Sequence, residues 1–283
     1  ADGLDDIVIA DHVAGSSYEG KVYIFYAPFE GDIYTSEADV TITGLSTVDD
    51  DYLGYFVQSL GDTNNDDHAD LLLSSLNSDS QYIFLGSDLL AGNYTVSDAN
   101  TTLVADSSLE YDEFAFTQVG DVNGDGYDDV FVVLVDERND SSFFGQAVLF
   151  YGPLSPGDIN YTDADVTLNP DTDQSILDVN HIGDFNNDGY SDFVVTGTND
   201  GDDVLYIVFG SSDLNGEYII GEIASEHIYG ESLDIDFISS YTGGDINADG
   251  YSDFVVRTYD VYVEEMHGEY GGIHILYGYD INE

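Results

Sequence analysis

Short apolar runs alternate with polar stretches along the whole chain. The apolar runs are rich in Val, Ile, Leu, Phe and Tyr, whereas Gly, Asp, Asn and Ser fill the stretches between them. Short apolar runs with such boundaries are typical of buried β-strands. No stretch shows convincing helical periodicity, so the pattern predicts an all-β protein.

The runs recur in a fixed order, which predicts four strands per unit. First-strand segments lie at 55–60, 114–119 and 176–182. Second-strand segments lie at 6–10, 70–73, 129–133, 192–195 and 253–256. Third-strand segments lie at 21–25, 81–84, 147–150, 205–209 and 273–277. Fourth-strand segments lie at 38–43, 100–104 and 164–168, with a weaker example near Ile223.

One polar segment of nine residues recurs between the first and second strands. It has the form D-x-N-x-D-G-x-x-D and occupies residues 62–70, 121–129, 184–192 and 245–253, which we call the Asp loops. Residues 2–6 match the second half of a fifth copy. The central Asp of each copy is Asp2, Asp66, Asp125, Asp188 or Asp249, so the period is about 60 residues. A fixed period of this length indicates a repeat architecture.

Four strands per repeat is the composition of a β-propeller blade. The sequence therefore predicts one array of four-stranded antiparallel blades over residues 1–283, with an Asp loop between the first and second strand of each blade. The expected divisions are a partial blade 1–50, complete blades 51–108, 109–171 and 172–232, and a partial blade 233–283. The first repeat lacks a first strand and the last lacks a fourth, which favours a piece of a longer propeller. The two incomplete repeats also offer a means of self-association.

The Asp loops carry the oxygen donors that Ca²⁺ prefers, namely carboxylate, amide and backbone carbonyl groups. Side chains at loop positions 1, 3, 5 and 9 converge if the chain turns sharply, and Gly at position 6 permits that turn. The predicted side-chain ligands are Asp62, Asn64, Asp66 and Asp70; Asp121, Asn123, Asp125 and Asp129; Asp184, Asn186, Asp188 and Asp192; and Asp245, Asn247, Asp249 and Asp253. The carbonyl groups of His68, Tyr127, Tyr190 and Tyr251 complete these sets at position 7. About four Ca²⁺ ions are expected, and Asp2, Asp6 and the Leu4 carbonyl form a partial fifth set.

Two other interpretations of the Asp loops were weighed. An EF-hand needs flanking helices and a Glu at position 12, but position 12 is an apolar strand residue here, namely Leu73, Val132, Val195 or Val256. A metal-free Asx-rich hairpin turn stays open as an alternative. Asp67 replaces Gly at position 6 of the first loop, so a weaker site is expected there.

Charge and composition restrict the partners and the environment. The chain has 58 acidic and three basic residues, a formal net charge of −55, which excludes nucleic acid as an expected partner. With 42% hydrophobic residues, 23 Tyr and 15 Phe, it still has enough apolar surface for a packed core. This balance favours a halophilic or marine microbe. The chain has no Cys and no apolar run of transmembrane length, so neither disulfides nor a transmembrane segment are expected.

A Gly-Asp pair, the nine-residue loop, an apolar strand and a blade-length period together resemble the FG-GAP repeats of integrin α-subunit propellers and their bacterial and archaeal relatives. That resemblance implies Ca²⁺ loops that brace the blades, and a protein or glycan ligand on a propeller face. Neither H-E-x-x-H, G-x-S-x-G nor a phosphate-binding Gly loop is present. We therefore expect a non-enzymatic, secreted or cell-surface propeller for adhesion or recognition. A surface-layer or filament subunit and the propeller domain of a polysaccharide-active enzyme are the alternatives.

Overall fold

A computed structural model describes residues 3–45, 51–76, 80–104, 113–136, 144–170, 174–199, 202–229, 236–263 and 268–279. Over these residues the protein is all-β, which confirms the predicted class. The strands in chain order are β1 (Ile7–Asp11), β2 (Lys21–Phe25), β3 (Val40–Thr43), β4 (Leu53–Gly61), β5 (Asp70–Ser75), β6 (Ser80–Phe84), β7 (Gly92–Thr95), β8 (Thr101–Val104), β9 (Glu113–Gly120), β10 (Asp129–Asp136), β11 (Phe144–Phe150), β12 (Gly157–Asn160), β13 (Val166–Asn169), β14 (Gln174–Gly183), β15 (Asp192–Asn199), β16 (Asp202–Val208), β17 (Gly216–Ile219), β18 (Glu226–Tyr229), β19 (Asp236–Gly244), β20 (Asp253–Val263) and β21 (Gly268–Leu276).

Helical structure in the described ranges is confined to single turns. One α-helical turn, α1, spans Ile220–Ile223, and 3₁₀ turns span Thr35–Glu37, Gly86–Asp88, Val96–Asp98 and Tyr161–Asp163. The weak fourth strand predicted near Ile223 is wrong in position, because α1 lies there and the strand follows as β18. No helix in the part of the chain that the structure describes is long and apolar enough to cross a membrane.

The strands form five sheets, and each sheet takes its antiparallel strands from one repeat. Their strand orders are β1-β2-β3-β7 (sheet A), β4-β5-β6-β8-β12 (sheet B), β9-β10-β11-β13-β17 (sheet C), β14-β15-β16-β18 (sheet D) and β19-β20-β21 (sheet E). In sheet C, for example, Val132 of β10 pairs with Phe116 of β9 and with Val148 of β11. The predicted succession of antiparallel strands is thus confirmed.

Three sheets also contain a short parallel strand that the sequence analysis did not predict. β7 joins β3, β12 joins β8 and β17 joins β13, each in parallel, and each added strand comes from the next repeat along the chain. The purely antiparallel, four-stranded blade was therefore wrong in this respect. The Gly that begins each added strand donates its N–H to a carbonyl just before the partner strand, as with Gly92 to Asp39 at 2.8 Å and Gly216 to Asp165 at 2.8 Å.

Two compact units divide the chain. The first comprises residues 1–109 and 153–163, and the second comprises residues 110–152 and 164–283. In the first unit, sheet A packs on sheet B through one core, in which Val22 and Ile42 contact residues such as Leu73 and Phe84. In the second unit, one core joins sheets C and D and another joins sheets D and E.

The second strand of sheet D shows why the apolar runs are continuous. Phe193 and Val195 of β15 belong to the core with sheet C, whereas Val194 between them belongs to the core with sheet E. Successive strand residues point to opposite faces, so a strand that is covered on both faces must be apolar at every position. All three residues are fully buried.

Candidate metal-binding loops

Each Asp loop connects the first and second strands of its sheet at the same edge. Residues 62–70 join β4 to β5, and the other three loops join β9 to β10, β14 to β15 and β19 to β20. A Gly with positive φ ends each first strand: Gly61 (φ 72°), Gly120 (70°), Gly183 (79°) and Gly244 (63°). This conformation is open to glycine at little cost, which explains the Gly-Asp pair that opens every loop.

Close approach is a second reason for the glycine that opens a loop. A Cβ on Gly120 would lie 2.5 Å from the Oγ of Ser191, and a Cβ on Gly183 would lie 2.4 Å from the Oγ of Ser252. Both serines occupy position 8 of the next loop. Neighbouring loops in the second unit are therefore packed against each other at these glycines.

The Asp at position 1 organises the loop through two backbone hydrogen bonds. In the loop 121–129, Oδ1 of Asp121 accepts the N–H of Asp125 at 3.0 Å and Oδ2 accepts the N–H of Gly126 at 2.8 Å. The other loops repeat both bonds at nearly the same distances, from Asp62, Asp184 and Asp245.

The side chains at positions 3 and 5 are linked to each other. Nδ2 of Asn123 donates to Oδ2 of Asp125 at 2.9 Å, and the same bond measures 3.0, 2.9 and 2.8 Å in the other three loops. Oδ1 of the position 5 Asp accepts the N–H of position 7 in every loop, as with Asp188 and Tyr190 at 3.0 Å. The structure therefore brings positions 1, 3 and 5 together around one turn.

The Asp at position 9 has a role that the sequence analysis did not anticipate. Oδ2 of Asp129 accepts the N–H of Val122 at 2.8 Å, and Oδ1 accepts the N–H of Gly152 at 3.0 Å. Gly152 follows the third strand of the sheet, so this carboxylate ties the loop to a distant part of the same repeat. The equivalent pairs of bonds are made by Asp70, Asp192 and Asp253.

The position 9 carboxylates are buried, and burial raises the pKa of three of them, Asp70, Asp129 and Asp192. Burial raises the pKa of Asp129 to about 7; the N–H groups of Gly152 and Val122 oppose that shift, while the nearby carboxylates of Asp125 and Asp121 add to it. Burial likewise raises the pKa of Asp192 to about 7. A buried carboxylate beside other carboxylates favours its neutral form unless a cation is bound nearby.

The first loop differs from the other three. Asp67 adopts φ 65° at the position that Gly holds elsewhere, so the left-handed turn predicted at position 6 is present in spite of the substitution. The hydroxyl of Ser87 donates to Oδ2 of Asp66 at 2.6 Å and is the main cause of a lowered Asp66 pKa. The Oδ1 atom of Asn64, a predicted ligand atom, is buried without a hydrogen-bond partner.

The donor set of the loops fits a hard cation. Carboxylate, amide and carbonyl oxygens are the groups that Ca²⁺ binds, and the unpartnered Oδ1 of Asn64 is an acceptor that lacks a donor. Among the described residues, no group of three or more His, Cys, Asp or Glu side chains is arranged to hold a metal ion.

The partial set at the start of the chain is described only in part. Asp2 lies outside the described residues, and Leu4 is exposed. Oδ1 of Asp6 accepts the N–H of Ala27 at 2.9 Å. Ala27 follows β2, the third-strand segment of the first repeat, as Gly152 follows β11, so Asp6 corresponds to position 9 of the complete loops.

Loops of successive repeats in the second unit are joined by backbone hydrogen bonds. The N–H of Ser191 donates to the carbonyl of Asp121 at 2.8 Å, and the N–H of Ser252 donates to the carbonyl of Asp184 at 3.1 Å. Each bond connects position 8 of one loop to position 1 of the loop before it. No single-repeat pattern in the sequence signals this contact.

Comparison with known proteins does not assign the chain to a family. No protein-family profile matches it, and no curated protein matches its sequence.

Proposed function

We propose that this chain is a Ca²⁺-stabilised β-propeller of the FG-GAP type, secreted or displayed at a cell surface, which recognises a protein or glycan ligand and catalyses no reaction. The observation that carries the proposal is the hydrogen-bond network of the Asp loops. Four loops separated by about 60 residues repeat the same bonds from positions 1, 3, 5 and 9. The same arrangement of oxygen donors in all four loops favours binding of the same kind of ion by each loop, rather than four turns without a common role.

The side chains at positions 1, 3 and 5 and the carbonyl at position 7 would hold the ion. The carboxylate at position 9 would contribute through the lone pairs that its backbone hydrogen bonds leave free. A bound cation supplies positive charge that offsets repulsion among the carboxylates of a loop. The loop itself supplies orientation, because its N–H groups fix the carboxylate oxygens at positions 1 and 5.

The packing of the sheets supports a propeller. Sheet D is covered on one face by sheet C and on the other by sheet E. A repeat that can bury its apolar surface only against neighbours is the basis of propellers and other repeat arrays. Four bound ions would change the formal charge from −55 to about −47, so most of the negative charge would remain uncompensated. Screening by concentrated salt would reduce that self-repulsion, which supports a marine or halophilic environment.

Calcium titration tests the proposal. Isothermal titration calorimetry of chelator-treated protein should show about four Ca²⁺ sites, and thermal unfolding should shift to higher temperature as Ca²⁺ rises. Mg²⁺ at the same ionic strength is the control, since it prefers a smaller octahedral shell. An unchanged melting temperature after rigorous removal of Ca²⁺ would refute the proposal.

A second candidate function is self-assembly into a filament or layer. Ile273 of β21 is 76% exposed, whereas Leu205, at the same position of sheet D, is fully buried in the core with the following sheet. On sheet A, Ile7 and Ile9 are exposed, whereas the matching Phe193 and Val195 are buried against the preceding sheet. One copy thus carries both halves of the sheet-on-sheet contact, and head-to-tail docking of identical copies generates open assemblies.

Sedimentation velocity tests the second candidate. Oligomers should form at about 1 M salt, where charges are screened beyond about 3 Å, and Ile273→Glu should prevent them. Leu90→Glu is the control: Leu90 is also an exposed aliphatic residue, and this variant should assemble normally. Monomers at high protein concentration in 1 M salt would exclude this function.

A further inference from the structure

An aromatic cluster lies on the first unit, outside the Asp loop 62–70 of that unit. It consists of His12, Tyr18, Tyr52, Tyr55 and Phe56, and we refer to it as the aromatic cluster. Tyr18 stacks on Tyr52 with ring centroids 5.6 Å apart, and His12 lies 6.2 Å from Tyr52 and 5.9 Å from Tyr55. Tyr55 and Phe56 meet edge to face at 5.2 Å.

The rings of the aromatic cluster are open to solvent. Tyr18 is 48% exposed, and Tyr55 and Phe56 are also exposed. Single exposed apolar side chains are ordinary on protein surfaces, but contiguous groups mark binding sites. Five rings linked by successive pairwise contacts form such a group.

Two residues of the cluster hold strained backbone conformations. Tyr18 and Tyr52 each have φ 53°, in the left-handed region. A bulky side chain is seldom found there, and such strain concentrates at ligand-binding sites, where the surrounding structure enforces it. Glycine would adopt both conformations freely, so the rings are retained at a cost to folding.

The backbone beneath the cluster is closely packed. The N–H of Tyr52 donates to the carbonyl of Tyr18 at 2.9 Å, and the N–H of Leu53 donates to the carbonyl of Glu19 at 3.2 Å. A Cβ on Gly20 would lie 2.2 Å from the carbonyl oxygen of Leu53. These contacts join the β1–β2 connection to the start of β4, so the backbone that carries Tyr18 and Tyr52 is held in a fixed position.

Within the first unit, the cluster lies at the sheet edge opposite the Asp loop 62–70. In an antiparallel sheet the first-to-second and second-to-third strand connections are at opposite ends. The β1–β2 connection spans residues 12–20, nine residues, whereas β15 and β16 are joined by residues 200–201 alone. Variable connections on a fixed scaffold are where binding residues concentrate.

We propose that the aromatic cluster is a binding platform for a neutral glycan, whose sugar rings stack on the exposed tyrosine faces. Aromatic rings present a flat apolar face together with, in Tyr, a polar hydroxyl, which matches the apolar face and hydroxyl rim of a pyranose. This inference rests on the recognition role proposed above and names its ligand class. It does not depend on calcium.

Charge selects a neutral glycan over an acidic one. Three basic residues oppose 58 acidic residues in the whole chain, so uronate or sulfate groups would be repelled. The carboxylates of Asp11 and Glu19, on the same connection or at its start, are acceptors for sugar hydroxyls.

Affinity electrophoresis and calorimetry with the whole chain test the platform. The neutral probes are laminarin, soluble starch, galactomannan and chitohexaose; polygalacturonate is the acidic probe and tetramethylammonium the cationic one. At least one neutral probe should bind and the other two classes should not. Binding of none of the neutral probes, or of tetramethylammonium or polygalacturonate in preference to them, would overturn the proposal.

Variants distinguish glycan binding by the aromatic cluster from non-specific adsorption to other parts of the surface. Tyr18→Gly removes a ring and relieves the φ 53° conformation, so it should lower affinity at least tenfold while the protein remains folded and no less stable. Tyr55→Ala should lower affinity by a similar factor. Tyr34→Ala is the matched control, because Tyr34 is 63% exposed and is not part of the cluster.

The control and the calcium response decide between the possible outcomes. An equal loss in Tyr34→Ala, or full affinity in both Tyr18→Gly and Tyr55→Ala, would overturn the platform. The Ca²⁺ titration of Tyr18→Gly should match that of the unchanged chain. A chain that binds a neutral glycan without any Ca²⁺ response would refute the metal sites and leave the platform standing.

Discussion

The two edges of the sheets differ in how they vary from repeat to repeat. At one edge, the four complete first-to-second strand connections are all nine-residue Asp loops with the same internal hydrogen bonds. At the opposite edge, the strand bounds leave nine, four, seven, two and four residues between the second and third strands of successive repeats, and the longest of these connections, residues 12–20, lies wholly within the described part of the chain. Fixed length and fixed bonding indicate a scaffold, whereas variable length indicates display of different side chains.

The contrast extends to backbone conformation. In the Asp loops, positive φ falls mostly on Gly or Asn, as at Gly126 and Asn187, residue types that tolerate it. At the opposite edge it falls on glycines of the β1–β2 connection and also on the bulky Tyr18 and Tyr52. Most positive φ angles in the Asp loops therefore cost little, whereas those of the two tyrosines are strained.

The largest expected effect on stability comes from removing the position 9 carboxylate, whose two backbone hydrogen bonds we call the position 9 brace. Asp129→Ala leaves the N–H groups of Val122 and Gly152 without their acceptor. Each buried donor left unpaired costs about 1–3 kcal/mol, so unfolding should require about 2–6 kcal/mol less. Urea unfolding measures this, and the loss should be present with calcium or with chelator.

Asp213→Ala is the control for Asp129→Ala in the unfolding measurement, since Asp213 is an exposed carboxylate of the same unit. It should unfold like the unchanged chain. A loss for Asp129→Ala that vanishes in chelator would mean that Asp129 acts only through the ion.

A smaller effect, dependent on calcium, is expected at position 5. Asp125→Ala removes a predicted ligand that is exposed to solvent. Its loss should appear only in Ca²⁺, and should approach about 2.7 kcal/mol when free Ca²⁺ is 100 times the dissociation constant of the loop. Unfolding in Ca²⁺ and in chelator gives the difference, and an equal loss in both would assign Asp125 a purely structural role.

Relief of strain in an Asp loop should give a still smaller gain. Ala248 has φ 62° at loop position 4, where Gly124 stands in another loop. Ala248→Gly should stabilise the chain by about 0.5–1 kcal/mol, because the left-handed conformation costs Ala about 1–2 kcal/mol and added chain entropy offsets part of the gain. Ala69→Gly, at position 8 of the first loop, relieves no positive φ and should destabilise slightly in the same assay.

The smallest expected effect is a pH dependence of stability that arises from Asp51, at the sheet edge opposite the Asp loop of its unit. Burial raises the pKa of Asp51, opposed by hydrogen bonds from Leu45 and Ser75. The folded state therefore holds its proton more tightly than the unfolded state does, so stability is highest below the usual Asp range and falls as pH rises through the folded pKa. Asp51→Asn should flatten that slope in unfolding measured from pH 3 to pH 7, and an unchanged slope would remove Asp51 as its source.

The sequence predicted the antiparallel strands because burial on both faces leaves continuous apolar runs. β15 is an example, with Phe193, Val194 and Val195 all buried. β7, β12 and β17 were missed for the opposite reason: none of their residues is fully buried, and those of β7 and β12 are mostly exposed, so backbone pairing defines these strands. A strand with no apolar pattern leaves no periodic signal.

The candidate sites were predictable only where neighbours in sequence create them. Loop positions 1, 3 and 5 lie within five residues, so the motif reveals their convergence. The position 9 brace was not visible, because Gly152 is distant from Asp129 along the chain. The aromatic cluster was also missed, since packing of sheet A on sheet B brings Tyr18 and Tyr52 together.

The parallel strands that join successive repeats have a consequence for biosynthesis. β3 is complete about 50 residues before its partner β7 emerges, and β8 and β13 likewise precede β12 and β17. During translation, the edge of each of these three sheets therefore remains unpaired until the next repeat arrives. An unpaired edge is prone to pairing with other chains, so a pause between repeats would prolong that exposure, and the order of synthesis becomes part of how this protein avoids aggregation.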